Sequence, residues 1–254
     1  MKLEGATVIV VGGASGLGEG VAREVVRRGA RVAVLDRDET AGKALVTELG
    51  ASAVFHHMDI TDAGNVERTV TACVTEFGRL DILVNCAGIS PAARTVSRNG
   101  DLFPLDVFKE VTSVNLVGLF DVTRHVAGHM RRNDAAPSGE RGLVVNVSSV
   151  AAYEGQVGQV AYSATKAAIT GMTLPLARDL APFGVRVMTV CPGVMNTPMV
   201  AGLDEARRQP LLNLSLFPKR LGEPSDFANL VCAIAENEFL NAEVIRLDAG
   251  ARLA

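Results

Sequence analysis

The chain has 254 residues, which suits one large α/β domain or two small ones. Hydrophobic residues make up 48% and charged residues 21%, enough apolar surface for one core. The net charge of -3 offers no basic excess to a phosphate backbone, which argues against a nucleic-acid partner.

The first element is a strand over 6–11, ATVIVV, a continuous β-branched run that fits burial on both faces. A glycine cluster and a helical stretch to Arg28 follow, then a strand over 31–36, RVAVLD. The alternation continues with a helix near 38–48, a strand near 53–57, a helix near 64–77 and a strand over 82–85. One helix is predicted near 106–131, a strand over 143–148, a helix near 160–181 and a strand over 185–190. A helix near 226–237 and a strand over 243–247 close the series. Seven strands alternating with six helices predict a single-domain, doubly wound parallel sheet with helices on both faces, a Rossmann fold. Three stretches break the rhythm: polar loops at 91–104 and 132–142, and a long segment at 191–225 read as a substrate flap.

Cys73, Cys86, Cys191 and Cys232 are scattered without metal or redox spacing and read as reduced, buried thiols. No apolar run reaches the length of a membrane span. A strand beginning near Ala6 is taken to leave no room for a leader, so a soluble, cytoplasmic protein is expected. His125 and His129 stand at i and i+4, a zinc-compatible spacing, but lack a third ligand, and no metal is expected. A hydrolase elbow, GxSxG, is absent.

The cluster GGASGLG at 12–18 lies between a strand and a helix. Gly12 permits a tight turn, Gly16 close approach of a pyrophosphate, and Gly18 close packing of helix on strand. The free N–H groups at the helix start suit an anion. Asp36 ends the second strand, where a carboxylate accepts from ribose hydroxyls and repels a 2′-phosphate, favouring NAD over NADP. Arg37 beside it is the one cation that could serve a phosphate.

Tyr162 and Lys166 stand at i and i+4 on one helix face. A phenol has an ordinary pKa of about 10, so acid–base work near neutrality needs about 4 kcal/mol of extra phenolate stabilisation. A neighbouring ammonium pushes that way. Ser149 follows a strand whose C-terminal end faces the expected crevice, where a hydroxyl can donate to a substrate oxygen. Gln159 either reaches a substrate carbonyl or starts the helix in solvent.

These residues resemble the short-chain dehydrogenase/reductase family over nearly the whole chain. The markers are GGASGLG, Asp36, Asp59 in MDIT, NCAG at 85–88, Asn115 in SVNLVG, Ser149, YSATK at 162–166 and PGVMNTP at 192–198. The resemblance implies that Tyr162 is the general acid/base, that Lys166 lowers its pKa and binds ribose, and that Ser149 orients the substrate oxygen. It gives Asn115 a water that leads protons from Lys166 outward. By the same resemblance the cofactor site comprises Gly12, Ser15, Gly16, Leu17, Gly18, Asp36, Asp59 and Ile60 on its adenosine side. Asn85, Cys86, Ala87 and Gly88 form its floor, and Pro192, Gly193, Met195 and Thr197 join Tyr162 and Lys166 around the nicotinamide. Where the family carries a threonine before the first glycine, this chain has Val11, which removes a hydroxyl tie from the turn.

The stretch from SVAAYEGQVGQ through PG, together with FPKRLGEPSDFANLV (217–231) and FLNAEVIRLDAG (239–250), resembles the type-2 3-hydroxyacyl-CoA dehydrogenases, also called type-10 17β-hydroxysteroid dehydrogenases. That resemblance implies NAD-dependent oxidation of a short-chain 3-hydroxyacyl-CoA. It also implies a homotetramer packed through the helices near 106–131 and 160–181, where Ala164, Ala167, Ala168 and Gly171 permit close approach. The flap residues Val194, Met195, Met199, Leu203, Leu211, Leu212, Leu214, Leu216 and Phe217 suit an acyl chain or a sterol. The alternatives are a hydroxysteroid or other secondary-alcohol dehydrogenase, an NADPH-dependent 3-oxoacyl reductase, and a non-catalytic dinucleotide-binding scaffold.

Overall fold

The structure, a computed structural model, describes residues 1–201, 211 and 214–253. Seven strands form one sheet: β1 (Thr7–Val11), β2 (Arg31–Asp36), β3 (Ala53–His57), β4 (Ile82–Asn85), β5 (Gly142–Val147), β6 (Val185–Pro192) and β7 (Val244–Leu247). Their spatial order is β3-β2-β1-β4-β5-β6-β7, and every neighbouring pair is parallel. The chain leaves β1 in one direction and later returns to its other side with β4. That reversal opens a crevice beyond the carboxyl ends of the strands.

The β-branched runs form strands because both faces are covered. Every residue of β1, β4, β5 and β6 is buried. Alternation divides β1 between two cores: Val8 and Val10 pack with Val21, Val25 and Phe227, whereas Ile9 and Val11 pack with Val66, Val70 and Val122. Strand β7, at the edge, is only half-buried along its length.

Helices α1 (Gly16–Arg27), α2 (Glu39–Leu49) and α3 (Ala63–Phe77) follow the first three strands. Asp38 caps α2 by accepting from the Ala41 amide, Asp62 caps α3 by accepting from the Asn65 amide, and Gly78 ends α3 in a left-handed conformation. The helix expected as one piece near 106–131 is divided. It comprises α4 (Leu105–Thr112), a π-helical segment over Ser113–Gly118, and α5 (Leu119–Met130). A π turn adds a residue without changing helical composition, so hydrophobic periodicity does not reveal it. Helix α6 (Val160–Leu180) leads to β6, and a short α7 (Pro198–Ala201) opens the expected flap. Helix α8 (Pro224–Glu236) starts with a reciprocal capping box between Glu223 and Asp226. The expected flap residues Leu203 and Leu212 lie outside the described residues. No described helix is long and apolar enough to cross a membrane.

One buried ion pair ties β6 to the end of α8. Arg186 donates to Glu140 Oε1 at 2.7 Å and to the carbonyls of Ile234, Ala235, Asn237 and Leu240 at 3.0, 3.1, 3.2 and 2.7 Å. Both side chains are almost fully buried. An Arg186→Met variant leaves Glu140 and the Ala235 carbonyl to the N-terminal ammonium alone, at 3.0 and 2.7 Å, strips the guanidinium from the other carbonyls, and is expected to lose about 3–5 kcal/mol of stability, read by urea unfolding.

Candidate active site

The crevice is a cleft of about 920 Å³ that runs from the glycine turn to the start of α6. At one end, the Gly12 amide donates to the Leu35 carbonyl at 2.8 Å, and the Ala14 amide donates to Asp36 Oδ2 at 3.0 Å. Asp36 Oδ1 accepts from the Asp38 amide at 3.0 Å. These bonds hold the turn despite Val11. Gly12 has φ +69°, and a Cβ there would stand 2.6 Å from the Ala87 nitrogen. A Cβ on Gly18 would collide with the Gly12 carbonyl. Ser15 precedes α1 in extended conformation and makes no side-chain cap bond, so the helix start keeps N–H groups for an anion.

Asp59 and Ile60 line the same end. Asp59 Oδ1 accepts from the Thr61 hydroxyl at 2.7 Å and from the Thr61 amide at 2.8 Å. The hydroxyl bond first, then the amide bond, holds the Asp59 carboxyl below the usual carboxylate range.

Cys86, Ala87 and Gly88 line the cleft, but Asn85 does not. Its amide is turned inward and donates to Asn146 Oδ1 at 2.9 Å and to Thr123 Oγ1 at 3.0 Å. The expected floor therefore begins one residue later, and Asn85 stitches β4 to β5 and α5 behind it. Cys73, Cys191 and Cys232 are buried, whereas Cys86 is half-buried at the cleft. Burial pushes its thiol up to about 12, far from the reactive thiolate range.

At the other end, Ser149 follows β5 and opens a short 3₁₀ turn. Its Oγ accepts from the Ala151 amide at 3.1 Å, which leaves the hydroxyl proton to be donated to Tyr162 or to a substrate oxygen. Tyr162 and Lys166 lie in the first turns of α6. Ser148, not anticipated from the sequence, binds that helix to β5. Its hydroxyl donates to the Lys166 carbonyl at 2.8 Å and lies 3.1 Å from Thr170 Oγ1.

Lys166 is 3% exposed, and its Nζ donates to the Val147 carbonyl at 2.8 Å. Burial pulls the ammonium down to about 8. The Nζ sits 5.5 Å from the centre of the Tyr162 ring. The expected lowering of the phenol by Lys166 is not what the chain by itself achieves. Burial raises the Tyr162 pKa above 10, and a hydrogen bond from Ser149 pulls the other way.

Asn115 lies in the π-helical segment and is fully buried. Its Oδ1 accepts from the Ile89 amide at 2.8 Å, and its Nδ2 donates to the Ile89 carbonyl at 2.9 Å and to Thr165 Oγ1 at 3.3 Å. It thus clamps the strand exit after β4 to α6. A Cβ on Gly88 would stand 3.2 Å from Asn115 Oδ1 and 3.5 Å from Lys166 Nζ, so both groups face one small gap kept open by glycine.

Pro192, Gly193, Met195 and Thr197 line the cleft after β6. Gln159 lines it too, with Oε1 accepting from the Gln156 amide at 2.9 Å, which leaves its NH₂ for another acceptor. The two readings of Gln159 merge: it stands at the helix start and at the cleft. From the flap, Val194, Met199 and Leu211 reach the cleft, whereas Leu216 and Phe217 are exposed and do not. Val157 and Leu253 also line it and carry no motif by which the sequence would single them out. No described cluster of three or more His, Cys, Asp or Glu side chains could hold a metal ion.

The sequence profile of the short chain dehydrogenase family matches residues 6–208. The chain belongs to that family. Among curated relatives, the human "3-hydroxyacyl-CoA dehydrogenase type-2" is 46% identical over 253 residues, covering 99% of this chain and 97% of its own. The Drosophila melanogaster protein of the same name is 46% identical over 252 residues and 99% of each chain. A solved structure, "3-hydroxyacyl-CoA dehydrogenase type-2 from Mycobacterium avium", superposes with a TM-score of 0.94 at 38% identity. The match spans 98% of this chain and 97% of that one. A short chain dehydrogenase is an oxidoreductase that works with a nicotinamide dinucleotide, and the cleft fits one. The glycine turn leaves room where a Cβ would intrude, the helix start keeps unpaired N–H groups, and Asp36 stands at the end of β2.

Proposed function

We propose that this short chain dehydrogenase uses NAD to oxidise the 3-hydroxyl of a short-chain 3-hydroxyacyl-CoA, and that the reaction is reversible. The observation that carries the substrate is the full-length similarity to relatives that bear that name. The preference for NAD rests on Asp36, whose carboxylate at the end of β2 would repel a 2′-phosphate. Arg37 also lines the cleft and is the feature on which an NADPH reading would rest.

The bound dinucleotide supplies the hydride acceptor at its nicotinamide and, when oxidised, a positive charge. Ser149 turns its hydroxyl proton from Tyr162 to the substrate oxygen and so fixes that oxygen beside the phenol. Tyr162, as phenolate, takes the hydroxyl proton while the carbinol carbon gives up hydride and becomes a carbonyl. Lys166 spends one N–H on Val147 and keeps two for a ribose hydroxyl and for the proton path. The Asn115 carbonyl oxygen and Lys166 Nζ border the same gap at Gly88, which supports a relay there.

The exposed apolar side chains Leu105, Val117 and Phe120 on α4, the π segment and α5, with Val160 and Leu174 on α6, support a homotetramer packed through these helices. Cysteines without disulfide partners support a cytoplasmic location.

The test is the loss of nicotinamide absorbance with acetoacetyl-CoA, with NADH and NADPH run side by side. Rapid consumption of NADH, with NADPH much slower, is expected. Equal or faster use of NADPH would overturn the NAD assignment. Turnover of simple ketones or steroids without acetoacetyl-CoA would remove the acyl-CoA claim and leave the dehydrogenase.

A further inference from the structure

Residues 246–253, the end of the edge strand β7 and the segment that follows it, are held by an ion network that reaches the connector between Ser149 and Tyr162. Its centre is Glu154. Arg246 Nη1 donates to Glu154 Oε1 at 2.8 Å, Arg246 Nη2 to Oε2 at 3.3 Å, and the Leu253 amide to Oε2 at 3.0 Å. Arg252 Nε lies 3.4 Å from Glu154 Oε1. Asp248 closes the network from the other side, accepting from Arg246 Nε at 2.7 Å and from Arg252 Nη1 at 3.2 Å. Arg246 also donates to the Ala251 carbonyl at 3.1 Å. Arg246, Asp248, Ala251, Arg252 and the Leu253 amide are therefore all tied into one network, and the Leu253 side chain is half-buried against the cleft.

The place of that wall matters. The Leu253 amide is bonded to the connector that carries Gln156 and Val157 into the cleft, on the side of Ser149 and Tyr162, away from the glycine turn. An apolar side chain there borders whatever substituent extends from the reacting carbon. A leucine at the tip of an otherwise free segment would be displaced by a longer substrate at little cost. One fastened through its own amide is not.

We propose that Glu154 is a positioning residue that fastens residues 246–253, and that Leu253, held by it, sets the length of the acyl or alkyl substituent the cleft accepts. The proposal rests on the dehydrogenase reading above for its substrate and adds the element that selects among substrates.

The test measures kcat/KM over 3-oxoacyl-CoAs from acetoacetyl-CoA to 3-oxodecanoyl-CoA, and over 2-alkanones of matching lengths, with NADH saturating. Leu253→Ala is expected to raise the long-to-short ratio by about tenfold, and Leu253→Phe to lower it by about tenfold, the scale of a missing or added methylene or two in an apolar pocket. Glu154→Ala is expected to shift the ratio in the same direction as Leu253→Ala, and the double variant no further, because both act through one wall. Glu154→Gln keeps an oxygen for the Leu253 amide and is expected to restore part of the parent ratio. The KM for NADH stays within about twofold in all of them, because the wall lies away from the glycine turn.

An unmoved ratio in the Leu253 variants overturns the proposal, and so do additive effects of the two alanine changes. If the parent enzyme reduces ketones but no CoA thioester, the acyl-CoA reading fails while the ketone series still decides the wall. Amide hydrogen exchange reads the fastening without turnover. Leu253 is expected to be protected in the parent and fast in Glu154→Ala, and equal exchange in both would overturn the role given to Glu154.

Discussion

A Tyr162→Phe enzyme is expected to lose about 10²–10⁴-fold in kcat while binding NADH as tightly as its parent. Among the described residues the phenol oxygen has Ser149 as its partner, itself oriented independently through the Ala151 amide. Removing the oxygen therefore deletes the proton acceptor and little else. The ring remains and keeps its place beside Lys166. Steady-state rates and a fluorescence titration with NADH separate the two effects. In the oxidative direction the parent's rate rises with pH as the phenol gives up its proton, and the variant loses that dependence. A variant that kept its rate within tenfold would show that another group moves the proton. A large fall in NADH affinity would mean that the phenol serves binding rather than chemistry.

The second large effect concerns Lys166 and has opposite signs for activity and stability. Burial lowers its pKa from 10.5 to about 8, so holding it charged near neutrality costs the folded chain about 3 kcal/mol. Because the folded pKa lies below the unfolded one, the unfolded chain binds more protons between about pH 8 and 10.5. Stability contributed by this group therefore rises with pH across that window and is least below it. Lys166→Met removes the cost but leaves the Val147 carbonyl without its donor, a loss of about 1–3 kcal/mol. The net expectation is a ligand-free protein more stable at neutral pH by up to about 2 kcal/mol. The gain disappears near the top of the window, and turnover falls at least about 10²-fold. Urea unfolding at several pH values, without cofactor, checks this. A variant less stable than its parent at neutral pH, with an unchanged pH slope, would show that the ammonium is well solvated in the fold.

The alternation of buried β-branched runs with helices was legible because a parallel sheet covered on both faces needs such strands. The glycine turn was legible because only glycine fits where a side chain would strike Ala87 or the Gly12 carbonyl. Other features follow from three-dimensional placement and leave no local mark. The π-helical segment that carries Asn115 has the composition of any helix. Asn85 looked like part of the cofactor floor because it adjoins Cys86, but strand alternation turns it toward Asn146 and Thr123. Helical spacing gives the proximity of Tyr162 to Lys166, but not the depth of burial that raises the phenol in the ligand-free chain. Leu253 has no motif around it and reaches the cleft only because Glu154, about 100 positions earlier, holds it there.

Asp36 ties two properties together that a designer would wish to vary separately. The carboxylate at the end of β2, to which the NAD preference is assigned in the proposal above, receives the Ala14 amide of the glycine turn and the Asp38 amide behind it, in a chain where Val11 offers no hydroxyl to share that task. Exchanging it for a residue without an acceptor to admit a phosphorylated dinucleotide would remove both bonds and leave the turn to the Gly12 and Gly13 amides on the Leu35 carbonyl. Under the NAD assignment proposed above, cofactor preference is therefore coupled to the stability of the turn at this site. A hydroxyl placed at position 11 before position 36 is exchanged is expected to give the turn a second tie and so to separate the two properties.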